Sequence, residues 1–321
     1  MQRWTQGFAM ANRNEHFVAD FSEDSVVVDA VRIDDRPSNL WYDAWRDARK
    51  RPMFYISGVL IVLVALVALF PGLFTNVAPN DNCQLANSSG GPMLGHPLGF
   101  TRQGCDIYSR IIYGTSTSLS VGLIVTVMTT IMGVLAGAIA GFYGKWVDAV
   151  LSRIGDIFFS IPYILAAVVI MSVFSQYRNV WVISAAIGFF AWPSTARVLR
   201  AEILRVKNSD FVMASTAIGV SRFTILMRHV LPNSVAPVIV ITTISLAAAI
   251  VAEATLSFLG VGLPSTTMSW GNDISQAQVD LRTAPMILVW PSLALSITVL
   301  AFIMMGEVVR DALDPKARSS R

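Results

Sequence analysis

Residues 54–74 read Phe54-Tyr55-Ile56-Ser57-Gly58-Val59-Leu60-Ile61-Val62-Leu63-Val64-Ala65-Leu66-Val67-Ala68-Leu69-Phe70-Pro71-Gly72-Leu73-Phe74, 21 residues without one charged side chain. As a helix rising about 1.5 Å per residue, such a run matches a hydrocarbon layer about 30 Å thick. Outward from it, five further apolar segments follow at 119–141, 157–174, 180–196, 235–259 and 284–305. Of 321 residues, 54% are apolar and 14% charged, against about a quarter charged in soluble domains. The segments at 157–174 and 180–196 are short and separated only by residues 175–179. Alone they fit a buried hairpin; with four better spans around them they read as spans. The expectation is an all-α integral membrane protein with six transmembrane helices.

Basic residues set the orientation, because cytoplasmic flanks retain positive charge during insertion. With the N-terminus inside, 20 of the 24 Lys and Arg residues are cytoplasmic, and only Arg102, Arg110, Arg178 and Arg282 lie outside. The chain is therefore expected N-in and C-in. The net charge of +3 adds nothing further, and the basic loops need no nucleic-acid partner. The first apolar run begins beyond residue 50 and is too long for a signal-peptide core.

The rest of the chain divides around these spans. Residues 1–38, which hold most of the nine acidic residues that precede residue 48, read as a flexible cytoplasmic tail. Residues 39–52 follow as an interfacial helix: Trp41 and Trp45 are four apart on one face, and aromatic rings favour the headgroup level of the lipid. A transmembrane domain is expected over 53–314, with exterior loops at 75–114 and 260–283, a cytoplasmic loop at 197–233, and a short cytoplasmic C-terminus at 315–321. Cys83 and Cys105 share the first exterior loop, where an oxidising compartment permits a disulfide; a bridge and two free thiols are both open. In the second span Gly133, Gly137 and Gly141 recur once per turn, a spacing that lets helix backbones approach closely in lipid. Their partner is a helix of this chain or of another subunit.

The loop at 197–233 carries the segment Asp210-Phe211-Val212-Met213-Ala214-Ser215-Thr216-Ala217-Ile218-Gly219-Val220-Ser221. It reads as a short helix of small residues, stopped by a glycine able to take positive φ. Ser221 then caps a second helix returning toward the membrane. Ala214, Ser215 and Ala217 give a slim face that can sink into a cleft on another protein; an ordinary cytoplasmic helical hairpin fits the same pattern. Glu253 is the acidic residue well inside a span. A carboxylate there is costly and normally faces protein or a water-filled path, so it is a gate or a structural brace. Its nearness to the span end favours the brace. His16, His96 and His229 lie in separate segments and make a poor metal site. No phosphate-binding Gly-x4-Gly-Lys-Ser/Thr loop occurs, so the chain is not an ATPase, and no hydrolase motif is visible.

The 210–221 segment with Leu231-Pro232 resembles the EAA loop of ABC importer permeases, in which that loop forms the coupling helix that docks into the ATPase. Met213 stands where many members have Glu. Further strings resemble dipeptide and oligopeptide permeases of the C type: His96-Pro97-Leu98-Gly99 with Asp106-Ile107-Tyr108-Ser109-Arg110, Gly141-Phe142-Tyr143-Gly144 with Trp146-Val147-Asp148, Glu253-Ala254-Thr255-Leu256-Ser257-Phe258-Leu259-Gly260 with Ser269-Trp270-Gly271, and Arg310-Asp311-Ala312-Leu313-Asp314-Pro315. Cys105 occupies a position where Arg is common.

The resemblance implies a type I importer permease of the bacterial inner membrane, moving di- or oligopeptides. It implies a homologous B-type permease, two ATPase subunits or one fused ATPase chain that bind ATP and Mg, and an extracytoplasmic solute-binding protein. No cofactor is expected in this chain itself. Related permeases serve nickel and glutathione import. The rival from another class is an ion-coupled secondary transporter, for which Glu253 speaks.

Overall fold

The computed structural model describes residues 40–80 and 83–313. The tail assigned to 1–38, the C-terminus at 315–321, and Asp314 and Pro315 of the last motif lie outside them. The described residues form helices joined by loops, with only two isolated β-bridges, Met93 to His96 and Phe100 to Asp106.

Helix α1 (Leu40–Ala48) leaves Trp41 and Trp45 about half exposed on one side. Its other side buries Ala44 and Ala48 against Phe54, Val308 and Ala312. It leads into α2 (Pro52–Leu69), whose first turn is preset by Pro52. Next come α3 (Ile107–Tyr143), α4 (Lys145–Ser160), α5 (Tyr163–Val173) and α6 (Val180–Val206). A hairpin of short helices follows, α7 (Asp210–Ala217) and α8 (Arg222–Ile225), then a π-helical turn (Leu226–Val230) and α9 (Leu231–Ser234). The chain ends with α10 (Ala236–Phe258), α11 (Trp270–Ala277) and α12 (Met286–Leu313).

Five helices, α2, α3, α6, α10 and α12, are each long and apolar enough to cross a membrane, and the bent pair α4–α5 makes a sixth crossing if counted as one. Residues 157–174 are therefore not one straight span. The reason is Pro162: its ring disfavours helical backbone at the residue before it, and Ile161 is extended (φ −96°, ψ 118°), so α4 and α5 meet with a bend of 76°. With 11 residues, α5 alone reaches only about 16 Å. Three boundaries also shift. Helix α3 starts at Ile107, so the first loop closes before residue 114; α6 runs to Val206, into the expected loop; and the second loop contains α11.

The core of the bundle is the pair α3–α6. A Cβ on Gly133 would lie 2.6 Å from Thr195 Cβ, one on Gly137 2.6 Å from Ala196 O, and one on Gly141 3.0 Å from Ile203 Cγ2. The partner of the glycine stripe is thus α6 of the same chain. Peripheral α2 has only 11% of its apolar window buried, against 50% for α6, which leaves its remaining surface for lipid or another chain.

The bundle has two distinct ends. One gathers basic side chains: Arg200 pairs with Asp148 (2.5 and 2.7 Å), Lys207 donates to Gly141 O (2.8 Å), and Arg51 pairs with Asp311. The other holds the Cys83–Cys105 bridge. There Gly104 (φ +76°) runs so close to Gln84 that a Cβ would lie 1.9 Å from its carbonyl oxygen, so no side chain fits at that position.

Candidate functional site

At the basic end, α7 is a short helix anchored by one side chain. Val212 is 5% exposed and packs with Leu199, Ile203, Ile225 and Val230. Ser215 and Thr216 turn their hydroxyls back onto Phe211 O and Val212 O (2.8 and 2.9 Å), which keeps the helix surface smooth. The helix ends where Gly219 takes φ +84° and donates to Thr216 O, while Val220 N donates to Ser215 O. That left-handed residue satisfies carbonyls the last turn leaves free. Ser221 then caps α8, its Oγ accepting from Thr224 N at 3.3 Å.

What α7 and α8 present outward includes many apolar side chains beside the exposed Asp210, Thr216, Arg222 and Thr224. Ala214 and Ala217 are exposed, and around them stand Phe211, Met213, Ile218, Phe223 and Met227, each 46–80% exposed. Clustered exposed apolar side chains mark an interaction surface. Phe223 and Met227 were not singled out from the sequence. Their spacing of four places them on one face only because the chain stays helical from α8 into the π turn, and nothing local announces that.

At the disulfide end, Glu253 near the close of α10 is completely buried. Three hydroxyls donate to it: Ser118 of α3 to Oε2 (3.3 Å), and Ser257 of α10 and Ser269 ahead of α11 to Oε1 (3.0 Å each). Ser118 Oγ also accepts from Trp270 N (3.2 Å), and Ser269 Oγ from Asn272 N (3.1 Å). One carboxylate thereby ties α11 to α3 and α10. A fully hydrogen-bonded buried group is what a brace requires. That Ser118 and Ser269 hold Glu253 was not legible in the sequence, where they sit 135 and 16 residues from it; a run of hydroxyls at 115–118 inside an apolar helix was the one signal for Ser118.

On the loop ahead of α3, His96 and Asp106 hydrogen bond (2.9 Å), and Asp106 also caps α3 by accepting from Ser109 N (2.8 Å). Beside the α4–α5 break, a cavity of about 360 Å³ is bordered by Phe158, Pro162, Tyr163, Phe190, Ser194 and Ser245. No group of three or more His, Cys, Asp or Glu residues able to hold a metal occurs among the described residues.

Two known families match this chain. Residues 133–319 fit the binding-protein-dependent transport system inner membrane component, and residues 39–89 fit the N-terminal transmembrane domain of oligopeptide transport permease C. The chain belongs to this permease family. Among its relatives are the proteins named glutathione transport system permease protein GsiD of Escherichia coli O157:H7 and of Shigella sonnei (strain Ss046). Each is 36% identical over 279 residues, covering 87% of this chain and 91% of the relative. Among solved structures, an inward-facing form of the MetNI methionine ABC transporter superposes with a TM-score of 0.53 at 20% identity. That match covers 63% of this chain and 96% of the other, and at this identity it speaks for the fold. The chain is accordingly a permease subunit of an ABC importer in the peptide and glutathione import family, a multi-pass protein of the bacterial inner membrane. The α7–Gly219–Ser221 unit and the caged Glu253 both fall inside the matched region of this permease.

Proposed function

We propose that this permease forms half of the pathway of an ATP-driven importer for di- and oligopeptides, and that α7 is its coupling helix. The observation that carries the assignment is α7 itself: anchored by one buried valine, closed by a left-handed glycine, and ringed by exposed apolar side chains at the basic end. Such an element suits insertion into a cleft of an ATPase subunit. The basic end is then cytoplasmic, in keeping with the distribution of Lys and Arg, and both termini lie inside. A homologous B-type permease completes the pathway. Two ATPase subunits, or one fused chain, bind ATP and Mg and hydrolyse the nucleotide; a solute-binding protein delivers cargo at the disulfide end. When the ATPases close, α7 is carried with them and the two permeases rock to alternate access. Glu253 acts as a brace in this scheme, not as an ion-coupling group. Glutathione is a second cargo, favoured by the relatives' 36% identity, and is itself a short peptide.

The test is co-purification from solubilised membranes, comparing wild type with the double variant Ala214→Arg, Gly219→Asp. Ala214 is exposed, and a Cβ at Gly219 meets nothing within 4 Å, so the variant chain keeps its own packing apart from local strain at φ +84°. The expected result is loss of the ATPase and of peptide uptake with the partner permease retained. If the variant holds its ATPase and transports as well as wild type, α7 is not the coupling element.

A further inference from the structure

The cavity beside the α4–α5 break lies midway along the bundle. Val125, the middle residue of α3, borders it, as do Pro193, the middle residue of α6, and Ser245, Ala248 and Ala249 around the middle of α10. Each of these helices is long and apolar enough to span a membrane, so the cavity sits near the bilayer midplane. Its remaining wall is the break itself, where Ile161 and Pro162 are non-helical and both exposed. Backbone outside a helix is tolerated at that depth only where protein covers it or where it lines water. The side chains favour water. Ser194 and Ala248 are exposed, and Tyr163 and Ser245 are half-buried with hydroxyls that make no hydrogen bond among the described residues. On peripheral α2 the exposed positions are Val59, Val62, Leu63 and Leu66, bulky apolar groups suited to lipid.

No charged side chain borders the cavity among the described residues. Arg197 stacks on Phe159, one of its walls, at 4.0 Å from the ring centroid, and pairs with Asp156 at 2.8 Å, so that charge is answered locally. The lining is dominated by the rings of Phe158, Phe159, Tyr163 and Phe190, with a few hydroxyls among them. Small-ligand pockets combine an apolar lining with few polar groups and begin at about 300 Å³. An apolar cavity of about 150 Å³ already accepts benzene. At about 360 Å³, this one has room for an aromatic side chain and the peptide unit that carries it. A peptide's ionised ends meet no counter-charge here, whereas an uncharged side chain gains contact with the rings. We propose that this cavity receives the cargo at mid-membrane, taking an apolar or aromatic side chain of the peptide among the phenylalanine rings. The hydroxyls of Tyr163 and Ser245 are then open to the cargo's backbone. This inference rests on the reading of the chain as half of a peptide pathway. It adds a preference to that reading: the permease itself favours uncharged, bulky side chains over charged ones.

The experiment has two arms, both on the full transport complex. Cys83 and Cys105, the two cysteines of the chain, are bridged, so an introduced cysteine is this subunit's single free thiol. Ser245→Cys, in the cavity, and Leu63→Cys, on α2, are treated with a charged, membrane-impermeant methanethiosulfonate in membrane fragments open on both faces. The mass of this subunit reports the reaction. Ser245→Cys should react and Leu63→Cys should not; a Ser245→Cys as inert as Leu63→Cys would mean a cavity closed to water and would overturn the proposal. The second arm fills the cavity with Ala248→Trp, at an exposed position on its border. Uptake of diphenylalanine and of diglycine is measured in liposomes with ATP and the solute-binding protein. Relative to wild type, diphenylalanine uptake should fall about tenfold or more, and diglycine uptake should fall far less. Equal losses for the two peptides, or no loss for either, would overturn the assignment of a side-chain pocket. If wild type takes up neither peptide, the peptide reading fails and the side-chain assignment with it. The labelling needs no cargo, so it separates that failure from a cavity closed to water, and it stands alone should Ala248→Trp fail to assemble.

Discussion

Replacing Gly137 by Ala tests whether α3 and α6 meet backbone to backbone. The new methyl carbon would lie 2.6 Å from Ala196 O and 3.2 Å from both Ala196 C and Cα. A comfortable carbon–oxygen approach is about 3.3 Å, so the helices must part by roughly 0.7 Å at this turn. The obstacle is backbone, which cannot swing aside as a side chain tip does. The neighbouring turns are also close, 2.6 Å at Gly133 and 3.0 Å at Gly141, so a local separation opens the contact above and below. Overpacking of this kind costs about 1–3 kcal/mol, against which Ala regains up to about 1 kcal/mol of helix propensity over Gly. The larger Gly137→Leu removes that ambiguity. Gly58→Ala is the matched control, since its Cβ would meet only Met305 Cε at 3.8 Å. With each kcal/mol moving the midpoint by about 2–4 °C in a domain of this size, the assay is thermal unfolding in detergent, followed by tryptophan fluorescence. Gly58→Ala should match or exceed wild type, Gly137→Ala should fall below it, and Gly137→Leu should fall furthest. Equal midpoints for Gly137→Leu and Gly58→Ala would refute the close approach.

Other expectations are simpler. Glu253→Ala strips three serine hydroxyls of their acceptor, at about 1–3 kcal/mol for each one left bare, whereas Glu253→Gln keeps an amide oxygen for Ser257 and Ser269. The alanine variant should unfold well below the glutamine variant, and uptake should survive in glutamine if the residue is a brace; an inactive but fully stable Glu253→Gln would point to a gate instead. The Cys83–Cys105 bridge closes a loop over a sequence separation of 22, worth up to about 3 kcal/mol. Cys83→Ser or reductant should therefore speed proteolysis within residues 83–105 and leave the basic end unaffected. The Arg51–Asp311 pair is part-exposed on both sides, so Arg51→Ala should cost no more than about 1 kcal/mol; a larger loss of midpoint would mean that α1 is held by charge, not by the packing of Ala44 and Ala48.

Hydropathy alone places the spans, because length and apolarity are local properties and the bilayer reads them locally. The α7 unit is legible for the same reason: Gly219 and Ser221 act on their own backbone, so their chemistry is visible in the string. Where the sequence misleads, the cause is also physical. Residues 157–174 are uniformly apolar, yet Pro162 bends the backbone without altering hydropathy. Helix α11 was hidden in a polar loop although Ser269 is its cap, since an isolated Ser before Trp270 resembles any turn. The partners of Glu253, and the walls of the cavity beside the α4–α5 break, come from different helices and meet only once the chain is packed. The glycine stripe stands between these cases, with its role legible and its partner, α6, not.

The most direct test of the central claim is uptake by the complete complex reconstituted in liposomes, with the solute-binding protein and labelled peptide on one side and ATP on the other. The account predicts uptake that requires ATP, persists when the proton gradient is collapsed, and disappears with Ala214→Arg. Uptake that follows an ion gradient without ATP would contradict it and make the chain a secondary transporter.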